Sequence, residues 1–280
     1  MRQEPFYPTE KQLCTMKSLY LDGKPYNEIS SELGLTKDQI YYVLKKNGAI
    51  QKRNILYPTN KNIFTSIDTQ EKAYFLGLFH ADGYNDVKRG KIEISLQEED
   101  GYILKNISSL FFGDRPLQNR PPGKKGKKNM HKLYVPIRKI SEDLLSFGCI
   151  QDKTVNLKFP NLQKELIRHY IRGMFDGDGC FKIKKNQRNY INGEFSIIST
   201  KEWHEKAKFH IQKLTGVRPR VSISKYTNFN LYNTCIYSQE DILSIYNFLY
   251  KDANIFLNRK KLKMEDFFSQ VQGGGLIAPK

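Results

Sequence analysis

The chain has 280 residues and a formal charge of +17, with 46 Lys and Arg against 29 Asp and Glu. A positive excess of that size points to a polyanion as partner, and no apolar run approaches the roughly 20 residues of a spanning helix, so a membrane span is not expected. No secretion signal follows Met1, and Cys14, Cys149, Cys180 and Cys235 form no CxxC pair, which argues against a zinc ribbon or a disulfide framework and fits a reducing interior, cytoplasmic or organellar.

Three short helices are predicted over residues 1–48. The first carries Leu13, Met16 and Tyr20 on one stripe. The second starts near Pro25, carries Tyr26, Ile29 and Leu33, and stops at Gly34. The third has Thr36 as cap, Gln39 to complete a capping box and Leu35 to staple onto Ile40, and it ends at Gly48. Two short helices joined by a Gly-containing turn read as a helix-turn-helix. Its recognition helix would offer Lys37, Gln39, Tyr41, Tyr42, Lys45 and Lys46 to DNA. Residues 49–66 have no clear period and read as an extended linker.

Residues 67–158 and 159–272 then repeat one order: motif helix, hairpin, helix, hairpin, helix. In the first half Asp68 and Glu71 form a candidate capping box, with Ile67 just ahead, and the helix ends at Gly83. Tyr84–Val87 pairs with the alternating strand of Ile92, Ile94 and Leu96. A helix near Asp100–Phe112, a strand marked by Leu133, Val135 and Ile137 and a helix over Ser141–Phe147 follow. Between them, a Gly- and Pro-rich loop with Lys124 and Lys125 could grip a phosphate backbone. In the second half Asn161 is a candidate cap and Gly179 the stop. Strands follow at Phe181/Ile183, Phe195/Ile197 and Val221/Ile223, with helices over Glu202–Leu214, where Trp203 packs, and Gln239–Tyr250. One face of each sheet is polar, and Lys182, Lys184, Arg218 and Arg220 are its best DNA-contact candidates. Residues 273–280, with Gly273, Gly274 and Gly275, read as a flexible tail.

The repeated helix is FLGLFHADG in the first half, Phe75 to Gly83, and IRGMFDGDG in the second, Ile171 to Gly179. The acids Asp82 and Asp178 are 96 residues apart (178 − 82). Gly83 and Gly179 sit where a left-handed terminating residue belongs. Gly77 with Ala81, and Gly173 with Gly177, place small residues four apart, so two such faces can bring helix backbones close. That packing would carry both acids together at two helix C-termini, where like charges and helix dipoles both oppose them. A divalent cation reverses that problem. Carboxylates, with the backbone carbonyls of Ala81 and Gly177, are ligands that Mg²⁺ prefers, and Mn²⁺ could replace it.

These paired motifs resemble those of the LAGLIDADG homing endonucleases, in the single-chain form with two motifs. The resemblance spans roughly the last three-quarters of the chain. The second copy is a close match, and the first departs at its sixth position, where His80 stands in place of a common acid. The resemblance implies an α+β fold of two pseudo-twofold-related αββαββα half-domains, here preceded by a small all-α helix-turn-helix domain. It implies a monomer that makes metal-dependent double-strand breaks at a long DNA site and so spreads its own gene or intron. It also implies a lysine near the end of each half, Lys153 in GCIQDKTVNL and Lys260 in IFLNRKKLK, supporting the water network around the acids. The alternatives on the same scaffold are an RNA maturase acting on its intron and a non-catalytic transcription regulator.

Overall fold

The computed structural model describes residues 7–22, 24–50, 57–121, 128–187, 190–224 and 230–272. The chain divides into two compact units, Met1–Thr59 and Asn60–Lys280. In the first, α1 (Glu10–Leu21), α2 (Tyr26–Leu33) and α3 (Lys37–Lys46) form where the apolar spacing places them. Capping boxes, Thr9 with Gln12 and Thr36 with Gln39, satisfy the otherwise unpaired N–H groups at the starts of α1 and α3. Gly34 takes the left-handed φ of +65° that stops α2 and turns the chain toward α3. Met16, Tyr20, Ile29, Ile40, Val43 and Leu44 close a core of their own.

The second unit runs α4 (Gln70–Asp82), β1 (Gly83–Asp86), β2 (Lys91–Gln97), α5 (Gly101–Phe111), β3 (Gln118–Arg120), β4 (Met130–Val135), α6 (Arg138–Ser146) and a single turn α7 (Lys153–Asn156). The order then recurs: α8 (Ile167–Asp178), β5 (Gly179–Lys185), β6 (Ile191–Ser199), α9 (Lys201–Thr215), β7 (Arg220–Ile223), β8 (Tyr232–Ile236), α10 (Gln239–Tyr250) and α11 (Asn258–Gln272). The sheets repeat too, as β1-β2-β4-β3 and β5-β6-β8-β7, with every pairing antiparallel. This is the α+β architecture of two αββαββα halves.

Each sheet buries one face because its strands alternate. Ile92, Ile94, Leu96, Leu133 and Val135 face the core of the first half, and Phe181, Phe195, Ile197 and Ile236 that of the second. α4 and α8 lie between the halves and belong to one continuous core with both sheets. α4 is buried from Lys72 to His80, as its unbroken apolar run requires. Phe64, ahead of α4, is fully buried against Phe75, Phe111 and Phe112, so the stretch read as linker enters the core at its end. Burying one such ring is worth about 2–3 kcal/mol.

Several local expectations need correction. Thr69, not Asp68, caps α4, and its hydroxyl accepts from Lys72 N; Asp68 instead pairs with the Lys72 ammonium at 2.8 Å. Asn161 caps nothing, because a 3-10 turn over Lys164–Leu166 leads into α8. Ile223 is exposed on the edge strand β7 rather than alternating inward. Gly83 and Gly179 are not left-handed: their φ values are −76° and −78°, and each helix runs straight into a strand. Glycine is required there for space, since a Cβ would lie 2.2 Å from the Phe79 ring at Gly83 and 2.2 Å from the Phe175 ring at Gly179. The helix α11 was not anticipated. Lys124, Lys125 and residues 273–280 lie outside the described residues.

Candidate functional site

The site begins with a backbone contact. A Cβ on Gly77 would stand 2.1 Å from Tyr170 O, and one on Gly173 would stand 2.1 Å from Tyr74 O. Tyr74 and Tyr170 hold equivalent positions in the two motif helices, so the contact is reciprocal. Each tyrosine also reaches the sixth motif position of the other helix. Tyr74 Oη donates to Asp176 Oδ2 at 2.8 Å, and Tyr170 Oη lies 2.9 Å from His80 Nδ1. Trp203 Nε1 donates to Tyr170 Oη at 2.8 Å, which fixes the tyrosine hydroxyl beside His80 Nδ1. Burial lowers the His80 pKa to about 3, so it bonds as a neutral imidazole. The sixth position is therefore an interhelix pin, and the His80 departure keeps that role.

This packing brings the acids together. A Cβ on Gly177 would meet Ala81 Cβ at 2.2 Å and Asp82 Oδ2 at 3.1 Å, so the Asp82 carboxylate lies against the backbone just before Asp178. Both side chains reach solvent by area, but protein atoms crowd them on most sides. Crowding raises the pKa of Asp82, against the pull of Lys153, Lys260 and Arg259. Crowding, then the like charge of Asp82, raises that of Asp178 to about 6. A cleft beside them is lined by Ala81, Lys153, Asp178, Ser199 and Leu231, among others.

Behind each acid stands a lysine. Lys153 Nζ donates to the carbonyls of Phe79, Ala81 and Gly83 at 2.9, 2.8 and 2.5 Å. Lys260 Nζ donates to those of Phe175, Gly177 and Gly179 at 2.5, 3.2 and 2.6 Å. The acceptors are the same three motif positions in both halves. An ammonium has three N–H groups, and each lysine spends all three on the end of its motif helix. The ammonium replaces the left-handed cap that Gly83 and Gly179 do not supply, and places positive charge at the negative end of each helix. Burial lowers the pKa of Lys153, and that of Lys260 to about 8.

Around this centre the sheets present their polar faces. Lys182 and Lys184 are exposed and share one partner, Glu194, at 3.7 and 2.5 Å. In the first sheet, at a different register position, Glu93 pairs with Lys91 at 2.7 Å and with Lys132. Arg220 lies over the Tyr237 ring at 5.9 Å, and Arg218 is exposed just ahead of β7. In the separate N-terminal unit Lys37, Tyr41, Tyr42, Lys45 and Lys46 are exposed, whereas Gln39 is half-buried and accepts from Thr36 N and Oγ1 through Oε1. The sequence reading missed the two glutamates and Arg172. Arg172 is fully buried: its Nε donates to Ile255 O and Nη1 to Leu249 O, which ties α8 to the segment leading into α11.

The candidate donors at the two helix ends are hard oxygens: the Asp82 and Asp178 carboxylates and the carbonyls of Ala81 and Gly177. Among the described residues no three His, Cys, Asp or Glu side chains cluster as a metal site. The set therefore fits a cation that keeps much of its water, as Mg²⁺ does, and not a zinc centre. Each carbonyl gives one lone pair to its lysine and has a second.

No protein-family model and no curated protein matches the chain. Solved structures do. The LAGLIDADG meganuclease I-AabMI bound to uncleaved DNA is 12% identical over 72% of this chain and 90% of its own, with a TM-score of 0.48. The LAGLIDADG homing endonuclease I-LtrWI bound to target DNA is 14% identical over 76% and 92%, at 0.46. I-GzeII in complex with its DNA target is 13% identical over 74% and 89%, at 0.45.

Proposed function

We propose that this chain is a site-specific, metal-dependent double-strand DNA endonuclease acting as a monomer. The observation that carries the reading is the paired centre: two acids held side by side at the ends of two helices whose backbones touch, each helix end capped by a buried lysine. Nothing in core packing calls for two like charges there, since the placement raises the pKa of both. Clusters arranged so are a mark of functional sites. The net charge of +17 and the lysine-bearing sheet faces suit DNA as the substrate.

Asp82, Asp178 and the carbonyls of Ala81 and Gly177 would hold the cation. When bound, Mg²⁺ activates a water and offsets charge on the attacking and leaving oxygens of the phosphodiester. The chain's own residues prepare for that. Lys153 and Lys260 favour the ionised carboxylates and fix the carbonyls they cap. The Gly77–Gly173 contact sets the spacing of the acids. Lys182, Lys184 and Arg220 would leave Glu194 and Tyr237 for phosphates or base edges. The three-helix unit would add contacts through Lys37, Tyr41, Tyr42, Lys45 and Lys46. By its motif resemblance, the break would serve the spread of the chain's own gene or intron.

The test is to incubate a large duplex DNA library with the protein in Mg²⁺ or EDTA and to sequence the new ends. Mg²⁺-dependent breaks at one long recurrent sequence are expected, and Asp82→Asn or Asp178→Asn should abolish them while binding persists. Tight binding with no breaks would overturn the reading in favour of a maturase or a regulator.

A further inference from the structure

The acids, the lysines and the carbonyls they cap repeat in the two halves. The residue ahead of each lysine does not: Asp152 precedes Lys153, and Arg259 precedes Lys260. Arg259, in the first turn of α11, reaches from the second half into the first. Its Nε lies 3.1 and 2.9 Å from Oδ1 and Oδ2 of Asp100, and its Nη2 lies 2.9 Å from Oδ2. The Asp100 side chain is 4% exposed, while that of Arg259 is 47% exposed. A buried carboxylate thus takes the Nε–Nη2 edge and leaves Nη1 outside the pair.

The backbone beneath is pinned as well. Tyr102 Oη accepts from Asn258 N at 2.6 Å and donates to Phe256 O at 3.2 Å. Both anchors, Asp100 and Tyr102, belong to the half that carries Asp82. A planar guanidinium, held on one edge and open on the other, is pre-organised for a phosphate oxygen in a way that a flexible lysine is not.

We propose that Arg259 is a phosphate clamp serving only the Asp82 side of the centre, so that the two DNA strands are cut at unequal rates. This rests on the endonuclease reading above. The experiment is single-turnover cleavage of an end-labelled duplex carrying the site found in the library, with each strand followed separately. Arg259→Gln is expected to slow one strand by about 100-fold relative to the other, the order of loss for one donor to developing charge. Arg259→Lys, which keeps charge and α11 packing, should slow the same strand less. Asp100→Asn should slow that strand as well, and Asp152→Asn should change neither ratio. Equal slowing of both strands by Arg259→Gln and Arg259→Lys would make the residue a strut between halves and overturn the clamp, as would unchanged rates. A wild-type protein that cuts neither strand would refute the endonuclease reading itself.

Discussion

An ammonium that gives all three protons to carbonyl oxygens has none left for a phosphate. In the proposed reaction Lys153 and Lys260 would therefore act through the helix ends they hold. Replacing either with Met leaves three carbonyls short of a donor at a buried helix terminus. Lys153→Met is expected to cost about 2–4 kcal/mol, read from urea unfolding, because hydrogen bonds to a charged group are lost with the orphaned acceptors left behind. Unchanged stability with lost cleavage would instead place the lysine at the DNA. A second residue sets the response to acid. His204 is fully buried between Thr234 Oγ1 and Tyr232 O, at 2.5 and 2.7 Å, and burial lowers its pKa to about 4. The unfolded chain takes up that proton near pH 6.5, before the folded one does. Its contribution to stability is thus complete above about pH 6.5 and falls away toward pH 4, with about 2 kcal/mol gone at pH 5. Urea unfolding at pH 7 and pH 5 should show that loss, and His204→Gln should reduce it.

The helix pair is where sequence and structure agree most closely, and the reason is steric. Small residues four apart, followed by Asp-Gly, have few uses, and Gly77, Ala81, Gly173 and Gly177 stand in the contact their spacing implies. Gly77→Ala would drive a methyl into Tyr170 O and part the helices. A loss of about 3 kcal/mol or more is expected from thermal or urea unfolding, and the centre should lose cutting with it. What could not be read locally was anything fixed by a distant partner. Gly83 looks like a left-handed stop because glycine usually is one there; the Phe79 ring that demands it is a matter of packing. The role of His80 depends on Tyr170, 90 residues on. α11 is hidden in the sequence because the repeated order is already complete at Gln239–Tyr250, yet Met264, Phe267 and Phe268 bury one side of it. Strand edges were harder still: Ile223 reads as an inward residue only if a sheet covers it.

The chain as a whole carries an α+β core of two repeated halves and a separate three-helix unit. Deleting residues 1–59 should leave the core's cutting intact at saturating protein. Binding should weaken, and the slope of log K against log salt should shrink by up to about 3 if Lys37, Lys45 and Lys46 each meet a phosphate. Loss of cutting in a folded variant would mean that the unit does more than bind. Under the proposed activity, the position of Lys260 sets when the chain could first cut DNA. Domains fold from the N-terminus as they leave the ribosome, yet the cation that closes the second helix end arrives with α11. Until those residues emerge, Asp178 stands on a helix whose final carbonyls lack the Lys260 ammonium. A chain stopped before Asn258 should bind DNA without severing it, which a nicking assay on supercoiled plasmid would reveal. Translation itself would then act as the safety catch, withholding the break until α11 has been made.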